Sequence, residues 1–197
     1  MAKALLALTL FHLVFFRHFY FQNPFAFATS TALDMQFAAS RFLGEELRAG
    51  RADPVDPYHY PSQSSIPFLS TWYPLHRLQA WVGSFLSVDA AWVVFFATGL
   101  LHYLWGSVGA YLLFRPFGEL IALFGALTLT YHAYAIKQNS EIQYTVGWIT
   151  WVFYAADIHC GWLLGVSLGM MTLAGYWALA IYVWPLSFLY WLSRSVS

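Results

Sequence analysis

The chain has little charge. Of its 197 residues only 9% are Asp, Glu, Lys or Arg, against 60% hydrophobic and 21% aromatic. A soluble domain carries about 25% charged residues. So few charges cannot cover an aqueous surface, and a bilayer is expected to solvate much of this one. Nine basic and nine acidic side chains cancel. No basic stripe is available, so nucleic acid is not expected as a partner. Cysteine is almost missing, and Cys160 alone excludes an intrachain disulfide or a multi-cysteine metal site. A small-x-small cleavage site is also missing after the first apolar run. Phe15, Phe16, Phe19, Tyr20 and Phe21 stand there instead, so the run reads as a retained anchor.

What the chain does have is a series of long apolar stretches. They predict an all-α, polytopic transmembrane protein forming one membrane domain over 1–197, with about five spans: 4–21, 90–115, 119–136, 143–158 and 161–184. The tail 185–197 is too short to cross. Between the first two spans lies a loop over 22–88. Its stretch Ser30–Leu78 holds nine of the eighteen charged side chains. Ser30 or Thr31 can cap an amphipathic helix over 31–49, which Gly50 ends. A second is expected over 74–86, with Leu75, Leu78, Trp81, Val82 and Phe85 on one side. Both suit the membrane interface. Over 53–74 five prolines alternate with Tyr58, Tyr60, Trp72 and Tyr73, which forbids regular helix. Lys3 and Arg115 against Lys137 lean toward a cytoplasmic N-terminus, with the long loop outside.

Several side chains are candidates for chemistry. Asp34, in the first turn of its helix, is a general base or metal-binding carboxylate at the membrane edge, or simply an acid favoured by the helix dipole. Glu45 and Glu46 with Arg41 and Arg48 read as a solvated helix face. Asp53 and Asp56 are weak candidates for a divalent metal, and more ordinarily turn formers. His76 and Arg77 suit a phosphate, Arg through a bidentate fork, or a lipid headgroup. His132, a polar residue in an apolar span, is a functional candidate. His102 sits about 20 Å from the outer end of its helix and His132 about 6 Å, at 1.5 Å per residue. A bis-histidine haem needs one depth, which disfavours that pair, although His12 or a second chain remains as a partner. The glycines at 161, 165, 169 and 175 include G-x-x-x-G steps and read as close helix packing.

The ordered series Asp34, RFLGEELRAGRADPVDPYHYP, FLSTWYPLHRL, LLHYLWGSVGAYLLFR, Tyr131-His132, Gly147-Trp148 and LAGYWALAIY resembles the N-terminal portion of YfhO-type bacterial membrane proteins, which are similar to GT-C glycosyltransferases. The resemblance implies an enzyme of the bacterial cytoplasmic (inner) membrane. It would transfer a sugar from a polyprenyl-phosphate carrier to an envelope acceptor, outside the cytoplasm. It implies Asp34 as catalytic base, with Tyr58, His76, Arg77 and His132 around the substrate and a divalent metal as an option. Two motifs differ from the family pattern. His59-Tyr60-Pro61 replaces a glycine pair, and Tyr176, Trp177 and Ala178 follow Gly175 in place of His-Pro-Gln. A form that depends on a second membrane protein chain, or a non-catalytic subunit of a larger membrane complex, is the alternative expectation.

Overall fold

A computed structural model describes residues 1–23, 31–51, 72–132, 140–174 and 177–195. Among these residues the secondary structure is all helical. In chain order the helices are α1 (Ala2–Phe15), α2 (Arg17–Phe21), α3 (Thr31–Arg48), α4 (Pro74–Gly83), α5 (Val88–Phe114), α6 (Glu119–Thr130), α7 (Ser140–Asp157), α8 (Gly161–Leu173) and α9 (Trp177–Ser195).

The helix α5 is the axis of the molecule. Its 27 residues rise about 40 Å. Ser87 caps it, the hydroxyl accepting from the Ala90 amide at 3.3 Å, and Asp89 meets the positive end of its dipole. Counting the turn that follows, Val88–Phe117 is the one described helix long and apolar enough to cross a membrane. The helices α1, α6 and α8 are apolar but shorter. Gly118 turns the chain back at φ 107°, a left-handed value that favours glycine.

The helix α7 packs beside α5 through small residues. A Cβ on Gly106 would stand 3.1 Å from the Gly147 Cα, and one on Gly109 would stand 2.6 Å from the Thr150 Oγ1. That closeness lets Thr150 donate to the Gly106 carbonyl at 2.8 Å. The Trp151 indole donates to the Trp105 carbonyl at 2.9 Å, and the two indoles stack at 4.2 Å. Contact positions advance together along both helices, so α5 and α7 are parallel, and α6 is the antiparallel return that precedes α7 in the chain. The helix α1 closes the other side, Ala4 and Leu8 meeting Ala110, Ala122 and Ala126.

Two sequence expectations are revised here. The run 4–21 is interrupted at Phe16, whose ring is buried against Tyr103 and Tyr131. The run 161–184 is divided near Ala174, and α9 continues through Pro185 to Ser195. A separate finding concerns the sidedness of α4. Its large apolar side chains Leu75, Leu78, Trp81 and Val82 are exposed, while His76, Gln79, Ala80 and Gly83 are buried. The helix therefore lies along the first half of α5 with its polar side inward. Tyr73 meets His102 at one end, and Gly83 faces Ala91 at the other.

The helix α3 crosses α4 where Gly44 leaves no room for a side chain, since a Cβ there would stand 2.1 Å from the Ala80 carbonyl oxygen. Arg41 donates to the carbonyls of Gly83 (2.9 Å) and Leu86 (3.2 Å), and Arg48 to that of Ser84 (3.2 Å). The two arginines thus satisfy carbonyls at the end of α4, where the helix dipole favours cations. They are more than the solvated face their spacing suggests.

Candidate functional site

Halfway along α5 the apolar core gives way to a buried polar layer. It begins with a local rule. Proline at 74 restricts the residue before it to extended backbone, and Tyr73 adopts φ −66°, ψ 118°. That conformation sends the Tyr73 ring into the bundle, where it is fully buried.

The hydrogen bonds there have a readable direction. The Thr98 carbonyl can only accept, so the His102 Nδ1–H donates to it at 2.7 Å. Nε2 is then the acceptor, and the Tyr73 hydroxyl donates to it at 2.6 Å. The same hydroxyl oxygen accepts from the Trp148 indole at 2.7 Å. Trp148, Tyr73, His102 and Thr98 form one donor-to-acceptor chain joining α7, the start of α4 and α5. A second chain lies beside it. Tyr144 donates to the Gln79 side-chain carbonyl at 3.1 Å, and the Gln79 amide donates to the Ser40 hydroxyl at 3.1 Å. The Tyr144 ring lies 4.4 Å from the His102 ring and 6.2 Å from that of His76. Chains of this kind polarise one another in a low-dielectric interior.

On the other side of α5, the next residue starts a matching cluster. Tyr103 stacks on Tyr131 at 6.0 Å. The Tyr131 hydroxyl bonds the His12 Nδ1 at 2.8 Å, and the Tyr20 hydroxyl bonds Nε2 at 2.9 Å. Consecutive helical residues point about 100° apart, so His102 and Tyr103 carry two polar clusters at one level of the same helix. The histidine at the depth of His102 is thus His12. All four ring nitrogens of the pair are held by hydrogen bonds, so haem ligation would have to displace those partners.

The residues singled out in the sequence fall in different places. Asp34 lies in the first turns of α3, its side chain outside the described residues. Phe37, one turn later, rests on Trp92 at 4.9 Å and Phe95 at 5.8 Å, which seats that end of α3 over the start of α5. Tyr58, Asp53 and Asp56 are outside the described residues. His76 and Arg77 separate. His76 is buried beside Tyr144, while Arg77 is half-buried with its guanidinium 5.1 Å from the Trp72 ring centre. His132 is exposed just past the end of α6, and its neighbour Tyr131 enters the core. Among the described residues no group of three or more His, Cys, Asp or Glu is placed to hold a metal.

Sequence reasoning passed over His12, Tyr73, Gln79 and Trp148 as a set. The available signal was a histidine in each of two apolar helices, since polar groups there are functional candidates by default. Among the described residues, fold and site together define an all-helical bundle built on one membrane-length helix with a buried polar layer at its midpoint. No protein-family model matches the chain, and no curated protein or solved structure matches it.

Proposed function

We propose that the chain is a multi-pass protein of the bacterial inner membrane with its long loop on the extracytoplasmic side. In this reading it works as a GT-C-like glycosyltransferase on a polyprenyl-phosphate sugar. The observation that carries the reading is the inside-out helix α4, with His76 and Gln79 buried while Leu75, Leu78, Trp81 and Val82 face outward. Exposed apolar surface on that scale wants an apolar solvent. The exposed Leu120, Ile121, Phe124 and Trp162 favour the same environment. A polar floor buried below an apolar exterior is how an embedded reaction site excludes water.

In the proposed reaction the acceptor hydroxyl gives its proton to Asp34 as its oxygen attacks the anomeric carbon. The carbon–oxygen bond to phosphate breaks, and polyprenyl phosphate leaves with the electron pair. Arg77, its guanidinium 5.1 Å from the Trp72 ring centre, is proposed to meet the departing phosphate, and His132 is a second candidate. His76, being buried, is a positioning residue. Tyr58 is proposed to contact the sugar. A divalent ion, if used, would draw on Asp53 and Asp56.

The test is Asp34→Asn in membranes supplied with a labelled polyprenyl-phosphate sugar. Transfer is expected to fall by about 10²-fold or more, the usual worth of a general base. Undiminished transfer sinks the assignment. The alternative, a non-catalytic subunit of a larger membrane complex, draws on Gly161, Gly165 and Gly169, around which an added Cβ meets nothing within 4 Å. A stoichiometric membrane partner retained through purification, together with undiminished transfer by the variant, favours it.

A further inference from the structure

At the far end of the bundle from the polar layer, the ends of α5, α7 and α9 border a half-open cavity of about 420 Å³. One wall is apolar, made by Phe114, Phe117 and Phe153. The other carries Asp157, Tyr190 and Arg194. The Tyr190 hydroxyl donates to Asp157 at 2.9 Å, and the Arg194 Nε donates to the same carboxylate at 2.9 Å. Asp157 is the inner member of the pair, its side chain 14% exposed, and the Arg194 guanidinium is the outer one at 49%.

The polar wall is therefore a dipole with no net charge. A simple anion brought to Arg194 would also approach Asp157, and a simple cation would meet the reverse problem. A zwitterion laid antiparallel to the pair meets neither. Its phosphate takes the guanidinium, a geometry suited to Arg, and its ammonium takes the carboxylate. The cavity stands at the end of the one described helix of membrane length, Val88–Phe117, where headgroups would lie. Its volume is within the range of small-ligand sites.

The geometry points to a site for a phospholipid headgroup that carries both a phosphate and a primary ammonium, the phosphoethanolamine class. The glycerol and first acyl carbons would lie against Phe114, Phe117 and Phe153. The inference rests on the membrane reading above and is independent of glycosyl transfer.

The experiment compares three lipids of identical acyl chains, with phosphoethanolamine, phosphocholine or phosphoglycerol headgroups, added to the full chain in detergent. Retention is read by native mass spectrometry, and Tm is followed in parallel. The phosphoethanolamine lipid is expected to bind about tenfold more tightly than the others. Phosphocholine has no N–H to donate to Asp157, and phosphoglycerol has no cation. Arg194→Gln and Asp157→Asn should each abolish the preference. Asp157→Asn can still accept from Tyr190, which keeps the α7–α9 contact. Phe117→Ser, on the exposed wall, should weaken all three lipids together. Equal retention of the three headgroups, or a preference that survives both polar variants, overturns the inference. So does equal protection by soluble phosphoethanolamine. Vesicle flotation separates the two failures. A chain that floats without headgroup preference loses only this site, whereas one that floats with no vesicle loses the membrane reading as well.

Discussion

Gly106 and Gly109 on α5, with Gly147 on α7, and Gly161, Gly165 and Gly169 on α8 all recur at short helical steps in apolar sequence, yet they meet different surroundings. In the first set the missing side chains let two backbones touch. An added Cβ on Gly147 would stand 2.8 Å from the His102 carbonyl oxygen. In the second set an added Cβ meets nothing within 4 Å. The spacing that suggests close packing is thus satisfied by the pair that does not show the strict four-residue repeat. Glycine spacing reports that a close approach is permitted. A partner surface of matching shape decides whether it happens. At the α5–α7 seam, Thr150 and Trp151 reach backbone carbonyls across the contact, which supplies that match.

The sharpest way to break this comparison is Gly147→Val. The side chain would have to displace backbone, and a loss of about 3 kcal/mol is expected by chemical unfolding in detergent. A tolerated valine would mean that the seam is not closed at this point. The polar layer at the top of the same seam comes next. Tyr73→Phe leaves the Trp148 indole and the His102 Nε2 both without their partner, at a cost of about 2 kcal/mol. A shift of the Trp148 indole proton resonance should accompany it, and an unmoved resonance would contradict the chain of donors described. The smallest effect belongs to the open set. Gly165→Ala removes backbone freedom and meets nothing, so a gain of about 0.5–1 kcal/mol is expected from the same unfolding measurement. A loss there would place a packed surface against α8 and erase the contrast.

Much of the helical framework was readable from local chemistry. The cap at Ser87, the turn at Gly118 and the proline that opens α4 each act over a few residues, and α3 over 31–48 lies within the stretch its caps mark out. The interruption at Phe16 was not readable, because no glycine or proline marks it and the cause is a ring packed on Tyr103 and Tyr131. The site was readable only in part. His76 and Arg77 are adjacent and look like one phosphate-binding unit, but neighbouring residues on a helix face different ways, and only His76 goes inward.

The sequence by itself determined the helical class, the apolar character of the surface and the extended backbone at Tyr73. These follow from composition, from periodicity and from the covalent geometry of proline. The tertiary structure decided which face of α4 is buried, which glycines touch, and that His12 stands level with His102. Those outcomes depend on groups far apart in the chain, such as His12 and Tyr131, which are 119 residues apart. Hydrogen bonds between such groups form only once the bundle has excluded water around them. No local pattern encodes that condition.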